Sequence, residues 1–281
     1  MNVSPRLVGL TLFLAAFSQD RVAWTQEEPQ APAQPAHIVV VMEENHSYSE
    51  IIGSSQAPYI NSLAAAGALF TKSFAVAHPS QPNYLALFSG STQGVTDDSC
   101  PHTFSTSSLE SELLAAGKTF TGFSEGLPQA GSLVCTSGEY ARKHVPWTDF
   151  SKDSSNDNQP FTSFPADFTK LPLVSFVIPN LLDDMHDGTI QQGDIWLQQN
   201  LSAYVNWAMT NNSVLIITWD EDDGSKNNQI PTIFVGEQVE PGQYSEQITH
   251  YNVLRTIEQI YKLKHLGGSA SAKPIKDIWK K

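Results

Sequence analysis

Acidic and amide side chains follow two apolar, strand-like runs of the sequence, at the points where those strands should end. The tripeptide EEN at 43–45 follows HIVVVM, and the tripeptide DED at 220–222 follows VLIITW. Carboxylate and amide oxygens are the ligands that hard divalent cations such as calcium, magnesium and manganese prefer. A bound divalent cation is therefore the chemistry that these residues could support. The predicted ligands are Glu44, Asn45, Ser80, Asp220 and Glu221.

A serine at a turn from strand to helix could supply a nucleophile. The segment AHPSQPNYLALFSGS places Ser80 two residues before Pro82, which cannot continue a strand. A hydroxyl at this position faces the cleft together with backbone N–H groups that attract anions. A cation beside Ser80 would lower the pKa of the hydroxyl and so activate it. The alternative is that Ser80 only caps the helix.

The acidic run TWDEDDG at 218–224 has two simpler interpretations. One is a solvated acidic turn. The other is a calcium loop of the EF-hand type, which needs a carboxylate at its twelfth position. Counting from Asp220, that position is Pro231, so the calcium-loop interpretation fails.

The elements that must position these residues alternate between strands and helices. The apolar runs predict strands at 37–42, 69–77, 120–123, 173–180, 213–219 and 231–236, and helices near 59–67, 83–88, 194–209 and 252–263. Such alternation is typical of a single α/β domain that has a mostly parallel central sheet with helices on both faces. In an open sheet of this kind, ligands bind outside the carboxyl ends of the strands, where the two acidic groups and Ser80 would meet.

Between residues 92 and 170 the pattern weakens into Ser, Asp, Asn and Pro, which predicts long loops over the sheet edge. Cys100 and Cys135 lie in this segment, and an even cysteine count in an exported protein favours a disulfide. The formal net charge of −13 argues against nucleic acid or an anionic membrane surface as a partner. We expect neither partner and no stable membrane association, and the sequence leaves the oligomeric state open.

Six sequence blocks, taken in order, resemble a known family. They are EENHSYSEIIG, HPSQPNYLALFSGS, YARKHVPW, PNLLDDMHDG, TWDEDDG and ITHYNVLRTIEQIY. Together they resemble the phosphoesterase family of bacterial and fungal acid phosphatases and bacterial phospholipases C, a branch of the alkaline phosphatase superfamily. The resemblance implies an alkaline-phosphatase-like fold, a divalent metal ion, which could be calcium, magnesium, manganese or zinc, and a serine nucleophile.

The resemblance also assigns roles to the residues of the two acidic groups. Glu44 and Asn45 match the acid and amide pair that binds the metal, and Ser80 matches the nucleophile that is also a ligand. Asp220 and Glu221 match the remaining ligand pair, although Glu221 departs from the Asp-Asp sequence of some members.

Histidines in the matched blocks could act on a phosphoryl group, which needs donors on its oxygens and an acid for the leaving alkoxide. His186 is the predicted catalytic acid, oriented by Asp184 or Asp187. His144, Asp184 and His250 are predicted to bind the substrate. Each histidine could instead be an ordinary core or surface residue. In two-metal relatives, such Asp and His residues bind a second ion.

The residues and the resemblance together predict a metal-dependent acid phosphatase that hydrolyses small phosphate monoesters. Ser80 would form a phosphoserine, Asn83 and the metal would hold the developing charge, and water would hydrolyse the intermediate. A phospholipase C or another phosphodiesterase acting at the same site is the alternative, and a non-catalytic protein that binds phosphate and metal is a more remote one. A sulfatase is disfavoured because its motif places Arg where this chain has Tyr84.

The start of the chain predicts export. The apolar run LVGLTLFLAAF at 7–17 is short for a membrane span but has the length of a secretory h-region. We therefore divide the chain into a signal peptide at 1–25, a flexible segment at 26–36, a phosphoesterase catalytic domain at 37–265 and a peripheral C-terminal tail at 266–281. The mature protein would be periplasmic or secreted.

Overall fold

Strands and helices alternate along the chain in a computed structural model that describes residues 1–2 and 34–281. The strands are β1 His37–Glu43, β2 Ala68–Phe70, β3 Ser73–Phe74, β4 Phe120–Ser124, β5 Thr136–Ser137, β6 Tyr140–Ala141, β7 Asn158–Pro160, β8 Val174–Ile178, β9 Ser213–Trp219, β10 Gln229–Ile230, β11 Thr232–Gly236, β12 Gly242–Tyr244 and β13 Ile248–Thr249. The helices are α1 Tyr48–Ile51, α2 Pro58–Ala66, α3 Ser80–Ser89, α4 Leu109–Ala115, α5 Ile190–Ala208 and α6 His250–Tyr261.

Eight strands form the central sheet, in the order β12-β2-β11-β9-β1-β8-β4-β7. The five strands from β9 to β7 run parallel, whereas β11 runs antiparallel to both of its neighbours. β1 and β9 lie inside the sheet and are buried along nearly their whole length, which explains why their sequences are continuous apolar runs. The prediction of a mostly parallel sheet in a single α/β domain is confirmed.

Helices cover both faces of this sheet. Val39 and Val41 of β1 pack in the cluster that includes α2 and α5, whereas Val40 and Met42 pack in the cluster that includes α3 and α6. Alternate residues of one strand therefore contact opposite layers, as the geometry of a strand requires. The same alternation directs the side chain of Glu44, the next residue of this series, toward α3.

The predicted strand at 69–77 is divided in two. β2 pairs with β11 and β12 of the central sheet, while β3 pairs with β10 and β13 of a separate three-stranded sheet. The polar residues Thr71 and Lys72 lie between them and interrupt the apolar run. The chain thus leaves the central sheet before it reaches Ser80.

The segment from 92 to 170 contains more structure than the predicted loops. β4 matches the strand predicted at 120–123, but α4 and β7 were not predicted, and Leu109 and Leu113 of α4 are buried in the core. Cys100 and Cys135 form a disulfide across 35 residues of sequence, as predicted. The Arg142 N–H donates to the Cys135 carbonyl over 2.9 Å, so the disulfide is adjacent to the YARKH block.

The C-terminal segment at 266–281 is not peripheral, and this part of the prediction is wrong. Ile275 and Ile278 are buried in the core, and Trp279 forms a β-bridge with Val239. Ser269 donates its hydroxyl to Glu258 of α6 over 2.7 Å. The glycine and serine composition of GGSASAK suggests a loop, but the buried residues Ile275, Ile278 and Trp279 follow it.

The predicted signal peptide lies outside the described residues apart from its first two, so export stays a prediction. Within residues 1–2 and 34–281, no helix is long and apolar enough to cross a bilayer.

Candidate active site

The two acidic groups meet at the carboxyl edge of the sheet because β1 and β9 are parallel neighbours in register. Glu43 pairs with Trp219, so the residues that follow them lie side by side. The Asp220 N–H donates to the Glu43 carbonyl over 3.0 Å, and the Asn45 N–H donates to Asp220 Oδ1 over 3.0 Å. Backbone pairing therefore fixes the acidic groups against each other.

Ser80, the first residue of α3, lies among the predicted metal ligands. Its Oγ is 3.0 Å from Glu44 Oε2, 3.1 Å from Glu221 Oε1 and 3.4 Å from Asn45 Oδ1. A hydroxyl has one proton, so it can donate fully to only one of these three oxygens. Asp220 Oδ2 is buried and has no hydrogen-bond partner within the described residues. The cluster therefore holds more oxygen acceptors than the protein supplies with donors.

The electrostatics of this cluster favour a cation. Glu44 and Asp220 are fully buried, and Glu221 is nearly so. Burial, followed by the charges of Asp220 and Asp184, raises the pKa of Glu44 well above its usual value. Burial and the Glu221 charge likewise raise the pKa of Asp220, and burial raises that of Glu221. A divalent ion would compensate this repulsion, and an all-oxygen donor set suits a hard cation.

A second group of possible ligands shares Glu44. Ligand atoms of Glu44, His144 and Asp184 all lie within 4.8 Å of one another, and all three residues are buried. His144 Nε2 is 3.1 Å from Glu44 Oε1, and its ring stacks on Tyr84, whose hydroxyl donates to Glu44. Burial lowers the pKa of His144 well below its usual value, so its neutral ring is suited to bind a metal. This geometry agrees with the second-ion alternative better than with direct substrate binding by His144.

His186 is held near this group. Its Nδ1 is 2.7 Å from Asp187 Oδ1, and its backbone N–H donates to Asp184 Oδ1 over 2.8 Å. The centroid of its ring is 6.0 Å from that of His144. Asp187 thus orients the ring and Asp184 orients the backbone. The other ring nitrogen, Nε2, is the atom that could exchange a proton with a substrate.

The side chains of Asn83 and His250, which the sequence predicts to bind the substrate, contact backbone atoms in the structure. Asn83 is fully buried and bonds only backbone: Oδ1 accepts from Val76 and Ala77, and Nδ2 donates to Ala77 and Pro79. This side chain is therefore committed to the loop that precedes Ser80.

His250 is committed to the end of β9. Its Nε2 lies 2.9 Å from the Trp219 carbonyl, to which it must donate. Burial lowers the pKa of His250 to about 4, so the ring is neutral near neutral pH and Nδ1 carries no proton. His250 thus has no N–H left for a phosphate. It supports the strand end from which Asp220 follows.

The sequence prediction gives no role to two residues near the site. Nδ1 of His78 contacts Glu221, and Nε2 is 3.5 Å from Asp222 Oδ1. His78 also lines an open cavity of about 470 Å³ together with Asn45 and Glu221. The second residue is Lys143, which pairs with Asp98. Their only sequence signal is adjacency: His78 precedes Ser80 by two residues, and Lys143 precedes His144.

The site places a serine hydroxyl amid acidic side chains at the carboxyl edge of a mostly parallel α/β sheet, an arrangement that a phosphoric ester hydrolase can use. The Phosphoesterase family profile matches residues 54–264, and the chain belongs to this family.

Named relatives agree with this assignment. The chain is 56% identical over 266 residues to a phosphatidylinositol-3-phosphatase of Mycobacterium tuberculosis, an alignment that covers 92% of this chain and 89% of the relative. It is 31% identical over 226 residues to an acid phosphatase of Aspergillus fumigatus, covering 73% of this chain but only 51% of that longer enzyme.

Solved structures support the fold. An alkaline phosphatase superfamily protein from Vibrio parahaemolyticus superposes with a TM-score of 0.60 at 13% identity, covering 87% of this chain and 72% of that one. A lipoteichoic acid synthase from Listeria monocytogenes superposes with a TM-score of 0.62 at 10% identity, covering 83% and 73%. At these identities the likeness concerns the fold alone.

Proposed function

We propose that this phosphoric ester hydrolase is a metal-dependent acid phosphatase that cleaves phosphate monoesters through a phosphoserine at Ser80. The observation that carries the proposal is the position of Ser80 Oγ, 3.0 to 3.4 Å from oxygens of Glu44, Asn45 and Glu221. A serine that only caps a helix does not need carboxylate oxygens around its hydroxyl. A serine nucleophile that loses its proton beside a cation does need them, because they bind the cation.

The bound ion would supply Lewis acidity, lowering the pKa of the serine hydroxyl and offsetting negative charge on the phosphoryl oxygens. Ser80 Oγ attacks phosphorus and passes its proton to an adjacent carboxylate. The bond from phosphorus to the ester oxygen breaks, and the leaving alkoxide takes a proton from His186. In the second half of the reaction, water gives a proton to His186 and attacks phosphorus. The bond from phosphorus to Ser80 Oγ breaks, the carboxylate returns its proton to Oγ, and phosphate leaves.

The substrate proposal follows the chemistry and the relatives. The named relatives are phosphatases, which supports monoesters over the phosphodiester alternative. The relative at 56% identity is named for phosphatidylinositol 3-phosphate, whose 3-phosphate is a monoester on a polyol ring. We propose this class, together with small soluble monoesters, as substrates.

An acidic optimum is part of the proposal, supported by the fungal acid phosphatases among the relatives. Because burial lowers the pKa of His144 and of His250, these two histidines do not supply the protonated groups that an acidic optimum invokes. Export is supported by the apolar run at 7–17 and by the disulfide.

A substrate panel tests the proposed function. We expect p-nitrophenyl phosphate and a soluble short-chain phosphatidylinositol 3-phosphate to be hydrolysed, with bis-p-nitrophenyl phosphate and phosphatidylcholine at least about 100-fold slower by kcat/KM, a difference of about 2.7 kcal/mol in transition-state binding. The Ser80→Ala variant is the control for contaminating phosphatases. Preferred cleavage of the diester or of phosphatidylcholine would favour the phosphodiesterase alternative.

A further inference from the structure

Carboxylates surround Ser80, yet the proposed substrate is itself an anion. Glu44, Asp220 and Glu221 all lie within the cluster, and Asp222 and Asp223 line the open cavity beside it. A phosphate monoester carries up to two negative charges, so it needs positive charge at its oxygens in addition to any that a cation offers. Lys143, in the YARKH block, is a candidate for that charge.

Lys143 is joined to the start of α3 through one carboxylate. Its Nζ is 2.9 Å from Asp98 Oδ2, while Asp98 Oδ1 accepts the Gln81 N–H over 3.0 Å. Gln81 directly follows Ser80. The ammonium group of Lys143 and the backbone N–H of Gln81 therefore each donate to one of the two carboxylate oxygens of Asp98.

The start of α3 has few N–H groups of its own to offer a phosphate. The Gln81 N–H is occupied by Asp98, and Pro82 has none. A helix N-terminus normally binds anions through such groups. A nearby lysine is the side chain that could replace them.

Lys143 lies beside the Ser80 cluster along the chain, because the next residue, His144, has its Nε2 3.1 Å from Glu44 Oε1. The four-carbon stem of Lys143 is flexible, and its side chain is 18% exposed, so the ammonium group can turn toward the cleft.

The backbone that carries Lys143 is fixed by its neighbour. The buried guanidinium of Arg142 donates to Asp149 Oδ1 over 3.1 Å and to the carbonyls of Leu133 and Thr148, each over 2.9 Å. These hydrogen bonds fix the backbone from which the Lys143 side chain extends.

We propose that Lys143 is a substrate-binding residue whose ammonium group binds the non-bridging oxygens of the phosphoryl group, and that Asp98 holds it when the site is free. This inference rests on the proposed function and adds to it a cation that belongs to the protein. It predicts that Lys143 contributes to the binding of inorganic phosphate as well as to turnover.

The alternative is that Lys143 only neutralises Asp98. The two roles separate in a double-mutant cycle with Lys143→Gln, Asp98→Asn and the double variant. If Lys143 only balances the Asp98 charge, removal of both charges restores phosphate binding. If Lys143 binds phosphate, the double variant stays as weak as Lys143→Gln.

The experiment measures the Kd of inorganic phosphate by titration calorimetry, at one fixed divalent-cation concentration, for each variant. A charged hydrogen bond to phosphate predicts a Kd raised by roughly 10- to 100-fold in Lys143→Gln and in the double variant, with partial recovery in Lys143→Arg. Lys152→Gln is the matched control, because Lys152 is an exposed lysine of the same domain, and its Kd should equal that of the wild type. Circular dichroism establishes that each variant is folded.

Two results would overturn the proposal: a Kd in Lys143→Gln within twofold of the wild type, or restoration to the wild-type Kd in the double variant. If Lys143→Gln does not fold, Lys143→Arg still decides, because an arginine that keeps the pair with Asp98 leaves the Kd unchanged if Lys143 only neutralises Asp98 and raises it if Lys143 binds phosphate. Hydrolysis of p-nitrophenyl phosphate by the wild type is assayed in parallel. Absence of that hydrolysis with normal phosphate binding would refute the proposed function and leave the lysine assignment intact.

Discussion

Replacement of Glu44 by glutamine should have opposite effects on the protein with and without a divalent ion. Oε1 of Glu44 accepts from Tyr84 and lies 3.1 Å from His144, whereas Oε2 faces Ser80. In Glu44→Gln the amide oxygen can keep the first two contacts. The amide nitrogen then points toward Ser80, where it cannot bind a cation. Without the ion, the variant loses a fully buried carboxyl whose ionisation is unfavourable.

The magnitude follows from linkage. At a free-ion concentration 100 times the wild-type Kd, binding adds about 2.7 kcal/mol to the free energy of unfolding. Loss of a direct ligand should weaken binding at least about tenfold, since even supporting residues around metal sites cost 10- to 100-fold. At the same ion concentration the gain then falls to about 1.4 kcal/mol or less. For a domain of this size, each kcal/mol corresponds to roughly 2 to 4 °C in Tm.

The assay is thermal unfolding in EDTA and again with calcium, magnesium, manganese or zinc. We expect the Tm of Glu44→Gln in EDTA to equal or exceed that of the wild type, and its ion-induced increase to be at most about half. Glu240→Gln, at an exposed glutamate, is the matched control and should behave as the wild type. An ion-induced increase in Glu44→Gln equal to that of the wild type would refute the assignment of Glu44 as a ligand.

Three further predictions concern metal, disulfide and pH. Dialysis against EDTA should abolish monoester hydrolysis and one of the four ions should restore it; full activity in protein shown to be metal-free would contradict metal dependence. Replacing Cys100 and Cys135 together by serine should lower the free energy of unfolding by about 3 to 4 kcal/mol in urea titrations, and an unchanged midpoint would count against this. Burial raises the pKa of Glu258 to about 7, so the folded protein keeps a proton that the unfolded chain releases, and stability should fall as pH rises from about 4.5 to 7. Glu258→Gln should flatten that part of the profile, and an unchanged slope would show that Glu258 is not responsible.

The sequence predicts the cluster around Ser80 because the ends of buried strands can be located in the sequence. Continuous apolar runs identify β1 and β9 as buried parallel strands, and the polar residues that follow such strands must share one edge of the sheet. Glu44, Ser80 and Asp220 therefore come together in the structure as expected. No detailed knowledge of loops is needed for this part of the site.

For Asn83 and His250, the sequence predicts the location of the side chain but not its hydrogen-bond partners. Both lie at the correct edge, but each uses its hydrogen-bonding groups on backbone atoms that would otherwise be buried without partners. The sequence gives the position of a polar side chain along its element. It does not give the backbone groups that the fold leaves unsatisfied nearby.

Contacts between loops that are distant in the chain cannot be predicted from the sequence for a similar reason. Lys143 and Asp98 are 45 residues apart, and their pairing depends on how the disulfide-linked loops pass over α3. The C-terminal segment is a further case, because the burial of Ile278 depends on a surface of the core that no local pattern describes. Tertiary packing decides both.

Ser80 is proposed as a nucleophile and not only as the first residue of a helix. The most direct measurement is rapid acid quench of the wild type during turnover of a monoester labelled in its phosphate, followed by peptide mapping. We expect labelled phosphate on the peptide that contains Ser80, and none in a folded Ser80→Ala variant, whose turnover should fall by several orders of magnitude. Near-normal turnover of Ser80→Ala, or label on a different residue of the wild type, would contradict it.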